Sequence, residues 1–348
     1  MRCLPEGPIR KVLICQQRQI GDVLLATPAI SLLRRRFPGA EIHFFTEKKC
    51  APLLEHHPDL SRIWLLEKGF LSELSLYRRA AREGFDLVVD FQQLPRCRWM
   101  TLLSRAGVRL SYPPRWYKKV IYNCWSSPEP GYAVQSKISL LRPLGIEWKG
   151  EKPRMYLSTK ERKQANQLLV QTGIPSGAPF ITIDPTHRRE TRLWPAEHFS
   201  RLIALAASRW KDLFFLVLYG PGEQDTADQI VRSAGTGRCI TPRSLLSLRE
   251  MAAVIARAGL HLGTCSAPRH MAVALDTPSL AIMGSTSPGS WTYPSPEHRA
   301  VGLDIPCRPC NRDACEHIRC MRELLPEQVA TELDRMIEES VHKRIQPL

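Results

Sequence analysis

Short, mostly apolar runs alternate with longer amphipathic ones along most of the chain. Residues 11–15 (KVLIC), 41–45 (EIHFF), 62–66 (RIWLL) and 86–90 (DLVVD) read as strands, and 23–36, 49–57 and 70–83 read as helices. This alternation predicts right-handed βαβ units around a parallel sheet buried on both faces. From Leu110 to Pro153 the pattern weakens. Trp116, Tyr117, Tyr122, Trp125 and Tyr132 crowd a stretch interrupted by Pro113, Pro114, Pro128 and Pro130, which reads as an irregular surface segment forming a substrate-side wall. Residues 158–172 then read as a polar helix near a domain boundary. The alternation restarts with strands at 179–184 and 213–220 around a helix at 195–209. Helices at 223–234 and 246–258, an apolar piece at 259–263, a helix at 268–275, a strand at 279–284 and a closing helix at 326–343 follow.

Two successive α/β sets imply two Rossmann-like domains facing each other across a cleft, which 348 residues allow. The expected boundaries are 1–160 for the first domain and 161–325 for the second with a cysteine-bearing tail. A helix over 326–348 is expected to pack back across the domains. Ligands of open parallel sheets sit beyond the carboxyl ends of the strands, so the loops after 11–15, 179–184, 213–220 and 259–263 are where chemistry is expected.

The first of these loops, QQRQIGD, ends in Asp22. An acid there either caps a helix or accepts a proton from a substrate. Thr27-Pro28 forms an N-cap and N1 pair of its own, so the helix either bends at Pro28 or is preceded by a short turn. Gly21 suits a loop edging a ligand. The second loop, DPTHRRETRLWP (184–195), sets Thr186, Thr191 and several arginines before a helix start, a good phosphate site. In the third, Gly220-Pro221-Gly222-Glu223, an acid follows a strand end and suits ribose hydroxyls. The fourth, GTCSAPRHMA (263–272), offers a serine and backbone N–H groups ahead of Pro268, with His270 behind them. Neither GxGxxG nor GxxxxGK[ST] occurs, so neither a nicotinamide enzyme nor a P-loop NTPase is indicated.

The 43% hydrophobic and 24% charged fractions are those of a folded globular protein. The formal net charge of +15 favours acidic partners: nucleic acid, anionic lipid or phosphorylated substrates. No RRM, zinc-finger or helix-turn-helix signature makes nucleic acid the specific one. No apolar run reaches the roughly 20 residues of a membrane span. MRCLPEGPIR lacks the features of a signal peptide and reads as a short leader, so the expected location is the cytoplasm, with contact to a membrane surface through charge. Seven cysteines lie singly and read as buried thiols. Cys307, Cys310, Cys315 and Cys320 cluster at a spacing that suggests zinc or an iron–sulfur group, with free thiols or labile disulfides as the alternative.

RQIGDVLLATPAI, TRLWPAEHF, CSAPRHMAVAL and TPSLAIMGSTSP, in this order, resemble the successive motifs of the glycosyltransferase family 9 heptosyltransferases, with the lipopolysaccharide core heptosyltransferase III branch fitting best. The resemblance runs from about Lys11 to Val341. It implies a GT-B fold and transfer of L-glycero-D-manno-heptose from ADP-heptose to an inner-core sugar of lipopolysaccharide. Such transfer inverts the anomeric centre and requires no catalytic metal. By this likeness Asp22 matches the general base, with Arg18 and Gly21 on the acceptor side. Arg192 stands where the family carries a diphosphate-binding lysine. Thr186, Glu223, Ser266, Ala267 and His270 match donor-binding positions. Cys265 departs from the family's usual aspartate. Related enzymes carry cysteines at similar tail positions, which makes the cluster here a structural site, a metal being one possible occupant. The expected protein works at the inner membrane as a peripheral enzyme and has no nucleic-acid partner. The alternatives are a family 9 transferase with another nucleotide-sugar donor, a non-catalytic nucleotide-sugar-binding protein on the same fold, or a redox protein organised by the tail cysteines.

Overall fold

Each half of the chain winds six parallel strands into one sheet, and both sheets use the same strand order. The structure, a computed structural model, describes residues 7–67 and 69–344, the last four through their backbone alone. Met1–Glu6, most of the expected leader, lies outside the described residues. The chain divides into two compact units, Met1–Tyr156 and Leu157–Leu348.

The first unit runs β1 (Lys11–Cys15), α1 (Ile20–Arg36), β2 (Glu41–Glu47), β3 (Arg62–Leu66), α2 (Phe70–Glu83), β4 (Leu87–Asp90), α3 (Pro95–Leu103), β5 (Val108–Ser111), β6 (Cys124–Trp125) and α4 (Ala133–Ile138). Its sheet order is β3-β2-β1-β4-β5-β6. Val12, Leu13, Ile14, Val88 and Val89 are fully buried, as central parallel strands covered on both faces require. The chain leaves β1 toward β2 on one side and returns to β4 on the other. The loops after β1 and β4 therefore part, and a crevice opens between them at the carboxyl edge.

The second unit runs α5 (Thr159–Thr172), β7 (Phe180–Asp184), α6 (Ala196–Arg209), β8 (Phe214–Val217), α7 (Gln224–Ser233), β9 (Cys239–Ile240), α8 (Leu248–Ile255), β10 (Leu260–Gly263), α9 (Ala267–Ala274), β11 (Ser279–Ile282), α10 (Pro288–Trp291), β12 (His298–Val301), α11 (Arg319–Arg322) and α12 (Pro326–Arg344). Its order, β12-β11-β10-β7-β8-β9, places the corresponding crevice between β7 and β10. Helices α5 and α8 both open with capping boxes, Ser158 with Glu161 and Ser247 with Glu250. Arg249 joins the two helices through a two-pronged bond to Glu161 at 2.6 and 2.7 Å, which holds that carboxylate down at about 2. The closing helix α12 buries Val329, Leu333, Met336 and Ile337 in the core of the second unit, and Trp210 Nε1 donates to Asp334 at 2.8 Å.

Two local expectations are corrected and one open alternative is resolved. Residues 49–57 do not form an α-helix: a 3-10 turn over Lys48–Leu53 contains Pro52, which lacks the N–H an α-helix needs. Thr27-Pro28 does not start a helix, because α1 runs through it from Ile20 to Arg36. Pro28 cannot donate to the Leu24 carbonyl, and the Thr27 hydroxyl does so instead at 2.7 Å while accepting from Arg154 N at 3.0 Å. The stretch after Leu110 is not irregular throughout, since it contains α4, whose Val134, Lys137 and Ile138 are buried.

Replacing Thr27 by valine removes the hydroxyl that serves the Leu24 carbonyl, and a destabilisation of about 1–2 kcal/mol is expected. Urea denaturation checks it: the midpoint should fall for Thr27→Val and stay near wild type for Thr27→Ser.

Candidate active site

At the crevice of the first unit, β1 ends in Cys15 and the next two residues, Gln16 and Gln17, remain buried. A glutamine on the neighbouring loop shapes this turn. Gln92 Oε1 accepts from the backbone of Gln17 at 2.9 Å and of Arg18 at 3.1 Å, and its amide nitrogen donates to the Arg18 carbonyl. Gln92 is placed in turn by Asp90 at the end of β4, which accepts from the backbone N–H groups of Gln92 and Gln93, each at 2.9 Å, and from Tyr122 at 2.6 Å. Burial nevertheless pushes the Asp90 carboxyl up.

Helix α1 begins immediately after this turn. Its N-cap, Gln19, makes no side-chain capping bond, and Asp22 stands in the first turn, where an acid complements the positive end of the helix. Gly21 lies inside that turn and is not among the glycines with positive φ, so its place does not rest on a left-handed conformation. Arg18 is exposed beside it. The Asp22 side chain is 35% exposed, and Lys137 Nζ of α4 lies 3.6 Å from its Oδ1. Lys137 also donates to the Gln16 side chain at 2.9 Å. Sequence reasoning missed Lys137. The signal was there: a lysine set among the apolar positions of YAVQSKISLL, inside a stretch read as irregular.

The crevice of the second unit collects the other named residues. Asp184 ends β7, and Gly263 ends β10 directly opposite it. A Cβ on Gly263 would lie 3.2 Å from the Asp184 carbonyl oxygen and 3.1 Å from His261 Nε2, so glycine permits this close approach. The Ser266 hydroxyl donates to the buried Asp184 carboxylate rather than capping α9, whose first N–H groups, beginning at Ala267, start beside it. Thr186 donates to Glu223 Oε2 at 2.7 Å, and the same oxygen accepts from Gly220 N at 2.7 Å. Thr264 ties the loops together by donating to the Thr186 carbonyl at 3.1 Å. His187 accepts from Arg189 N through Nδ1 at 2.9 Å, which fixes its proton on Nε2 for donation to the Cys265 carbonyl at 3.1 Å. Burial, with Arg192 nearby, lowers His187 to about 4 and keeps it neutral.

Thr186, Glu223, Ser266 and Ala267 are thus brought around one strand edge. Arg192 sits in the 3-10 turn Glu190–Arg192 with its side chain 14% exposed, and its buried Nε has no hydrogen-bond partner among the described residues. Its terminal nitrogen is 3.9 Å from Asp313. His270 is buried in α9, with Nδ1 unpartnered and its ring 6.1 Å from Trp291; burial holds its pKa well down. Cys265 is buried and packs with Ala281 and Met283, with the Arg192 guanidinium near enough to feel its thiol. Asp184 was not singled out by sequence reasoning. Burial raises it to about 7, with Glu223 adding to the effect.

The tail cysteines follow the same edge. Arg308 Nε donates to the Gly284 carbonyl at 2.7 Å, Asn311 N to the Ser285 carbonyl at 2.9 Å, and Thr191 Oγ1 to the Arg312 carbonyl at 2.9 Å. Cys307, Cys310 and Cys315 are exposed and Cys320 is buried. Among the described residues, the group with three or more metal-ligating atoms within 4.8 Å of one another is Glu41, His43 and Glu83, so the cysteines do not form a preassembled ligand set. Lys11 already pairs with Glu83 at 2.8 Å in that other group.

A family model described as glycosyltransferase family 9 (heptosyltransferase) matches residues 74–319. Lipopolysaccharide heptosyltransferase 3 of Escherichia coli is 26% identical over 78% of this chain and 82% of its own length. Lipopolysaccharide heptosyltransferase 1 of Pseudomonas aeruginosa is 24% identical over 94% and 98%. Among solved structures, a family 9 glycosyltransferase from Veillonella parvula superposes with a TM-score of 0.84 at 18% identity, covering 97% of this chain and 99% of its own. E. coli ADP-heptose lps heptosyltransferase II follows at 0.77 and 17%, covering 94% and 99%. The fold class is accordingly GT-B.

Because Asp184 is raised in the fold, the native state holds its proton to higher pH than the unfolded chain does. Its contribution to stability is full below the ordinary carboxylate range and declines as pH rises through about 7. Unfolding free energies of wild type and Asp184→Asn, measured by urea between pH 5 and 8, should diverge at no more than about 1.4 kcal/mol per pH unit, with wild type losing stability as pH rises.

Proposed function

This chain belongs to glycosyltransferase family 9, the heptosyltransferases, and from that premise we propose that it transfers L-glycero-D-manno-heptose from ADP-heptose to an inner-core sugar of lipopolysaccharide with inversion. The observation that carries the reading is Asp22: a part-exposed carboxylate in the first turn of α1 at the crevice between β1 and β4, with an ammonium 3.6 Å behind it. Asp22 accepts the proton of the acceptor hydroxyl while that oxygen forms its bond to the anomeric carbon. The bond from that carbon to the ADP oxygen breaks on the opposite face, and ADP leaves with the bonding pair. Arg192 and the first N–H groups of α9 meet the charge developing on the diphosphate. Thr186, Ser266 and Ala267 line its path, Glu223 accepts from the ribose hydroxyls, and His270, within the α9 start, belongs to the same donor-binding set. Cations and amides of the chain supply this stabilisation, so the step needs no catalytic metal. The tail cysteines serve the fold rather than the reaction. With their thiols apart, a metal would have to draw them together.

The acceptor is carried on an anionic membrane face, where a chain of +15 is attracted. We assign the peripheral contact to the segment Arg115–Val120, in which Trp116 (82% exposed), Tyr117 (46%) and Val120 (70%) stand beside Lys118 and Lys119.

Mass spectrometry of a heptosylated Kdo–lipid A acceptor incubated with ADP-heptose should show one added heptose for wild type. Asp22→Asn should lose at least roughly a hundredfold in kcat while keeping its affinity for ADP. No product on several acceptors despite tight ADP-heptose binding would replace this reading with that of a binding protein. In a separate vesicle-sedimentation assay with anionic phospholipid, Lys118→Glu and Trp116→Ala should each weaken binding, the charge reversal by at least about fivefold.

A further inference from the structure

Lys137 stands where a lysine is least expected. It lies in the last turn of α4, with buried Val134 three positions before it, buried Ile138 next to it and buried Leu140 and Leu141 following, and its own side chain is 10% exposed. An ammonium taken from water at such a place is tolerated only with partners. Lys137 has three. Gln16 Oε1 accepts from Nζ at 2.9 Å, Asp22 Oδ1 lies at 3.6 Å, and the Phe91 ring lies under the charge at 5.7 Å. Gln16 is itself fixed, because its amide nitrogen donates to the Arg18 carbonyl at 2.8 Å. A continuous path therefore runs from the end of β1 through Gln16 and Lys137 to Asp22, and α4 packs directly on α1.

We propose that Lys137 is a positioning residue for the transfer, holding Asp22 in its working orientation from behind while the exposed part of the carboxylate meets the acceptor. This inference rests on the reading of Asp22 as the base. Burial alone would drive the ammonium toward its neutral form, and Asp22 is the group that opposes this. Among the described residues of the other elements packed on α1, the charged and titratable groups are engaged elsewhere or stand in solvent. On the 3-10 turn Lys48–Leu53, Cys50 is held protonated by burial, raised to about 11, and Lys49 pairs with Glu47 at 2.9 Å. Lys48 is exposed. On β2, Glu47 is also bound to Gln17, and His43 pairs with Glu41. Tyr112, whose hydroxyl senses Asp22, is kept protonated by burial.

The test combines kinetics with a readout that needs no turnover. Steady-state kinetics at pH 7 compare Lys137→Met with wild type. At pH 7 kcat should fall roughly 10- to 100-fold, with the KM for ADP-heptose within about twofold of wild type, and Lys137→Arg should recover most of the loss. Gln16→Leu, which frees the ammonium without removing it, should lower kcat by less, again with KM for ADP-heptose unchanged, and it carries the test if Lys137→Met does not fold. By NMR of lysine-labelled protein, the Lys137 ammonium should deprotonate at lower pH in Asp22→Asn than in wild type. Wild-type kcat in a folded Lys137→Met variant would overturn the proposal, as would a loss of activity that Lys137→Arg does not rescue. Equal Lys137 titration in wild type and Asp22→Asn would overturn it whether or not wild type transfers heptose, which separates this failure from failure of the functional reading.

Discussion

Parallel pairing makes every strand of a sheet end at the same edge, and the chemistry of this protein depends on that constraint. Between β1 and β4, and again between β7 and β10, the winding direction reverses and the following loops part. Asp22, Gln16 and Gln92 gather at one such opening; Asp184, Thr186, Glu223 and Ser266 gather at the other. Residues far apart in sequence meet there because the sheets bring their strand ends together, as with Asp184 and Gly263 side by side in the register of β7 and β10.

Both openings are finished by buried and half-buried polar groups that fix one another. In the first unit Asp90 holds the Gln92 loop, Gln92 holds the turn after β1, and Gln16 holds Lys137 beside Asp22. In the second, Glu223 serves both Thr186 and the backbone of Gly220, and Asp184 draws Ser266 away from capping α9. Burial raises the cost of leaving any of these groups unpaired, so the networks make the loops specific in shape. The same burial moves their titration, with Asp184 raised to about 7 and His187 lowered to about 4. The tail segment adds a brace by bonding to Gly284, Ser285 and Thr191, close in sequence to the half-buried guanidinium of Arg192.

Thr27 and Pro28 show how local sequence rules yield to their surroundings. As an isolated pair they are a helix start, yet α1 passes through them, because the threonine hydroxyl takes over the bond that proline cannot make and the apolar positions on both sides bury in the sheet. Residues 49–57 err the other way. Their helix-like pattern shortens to a 3-10 turn around Pro52. Cysteine spacing suggested a ligand set; in the fold three of the four are exposed, and burial raises the thiol of Cys320, to which all three lie near enough to add.

By itself the sequence determined the two α/β sets, the strand-end loops and the polar residues they carry, because apolar periodicity and the chemistry of short motifs are local properties. Asp22, Thr186, Glu223 and Ser266 were legible for that reason. Only the tertiary structure decided what stands behind them. Lys137 lies 115 positions from Asp22 in the numbering, in a stretch whose pattern is weak, and nothing local relates the two. Asp184 reads as the polar end of a strand until burial between β7 and β10 gives it a proton near neutral pH. Partnership and burial arise from the packing of distant segments, and packing is a property of the whole fold.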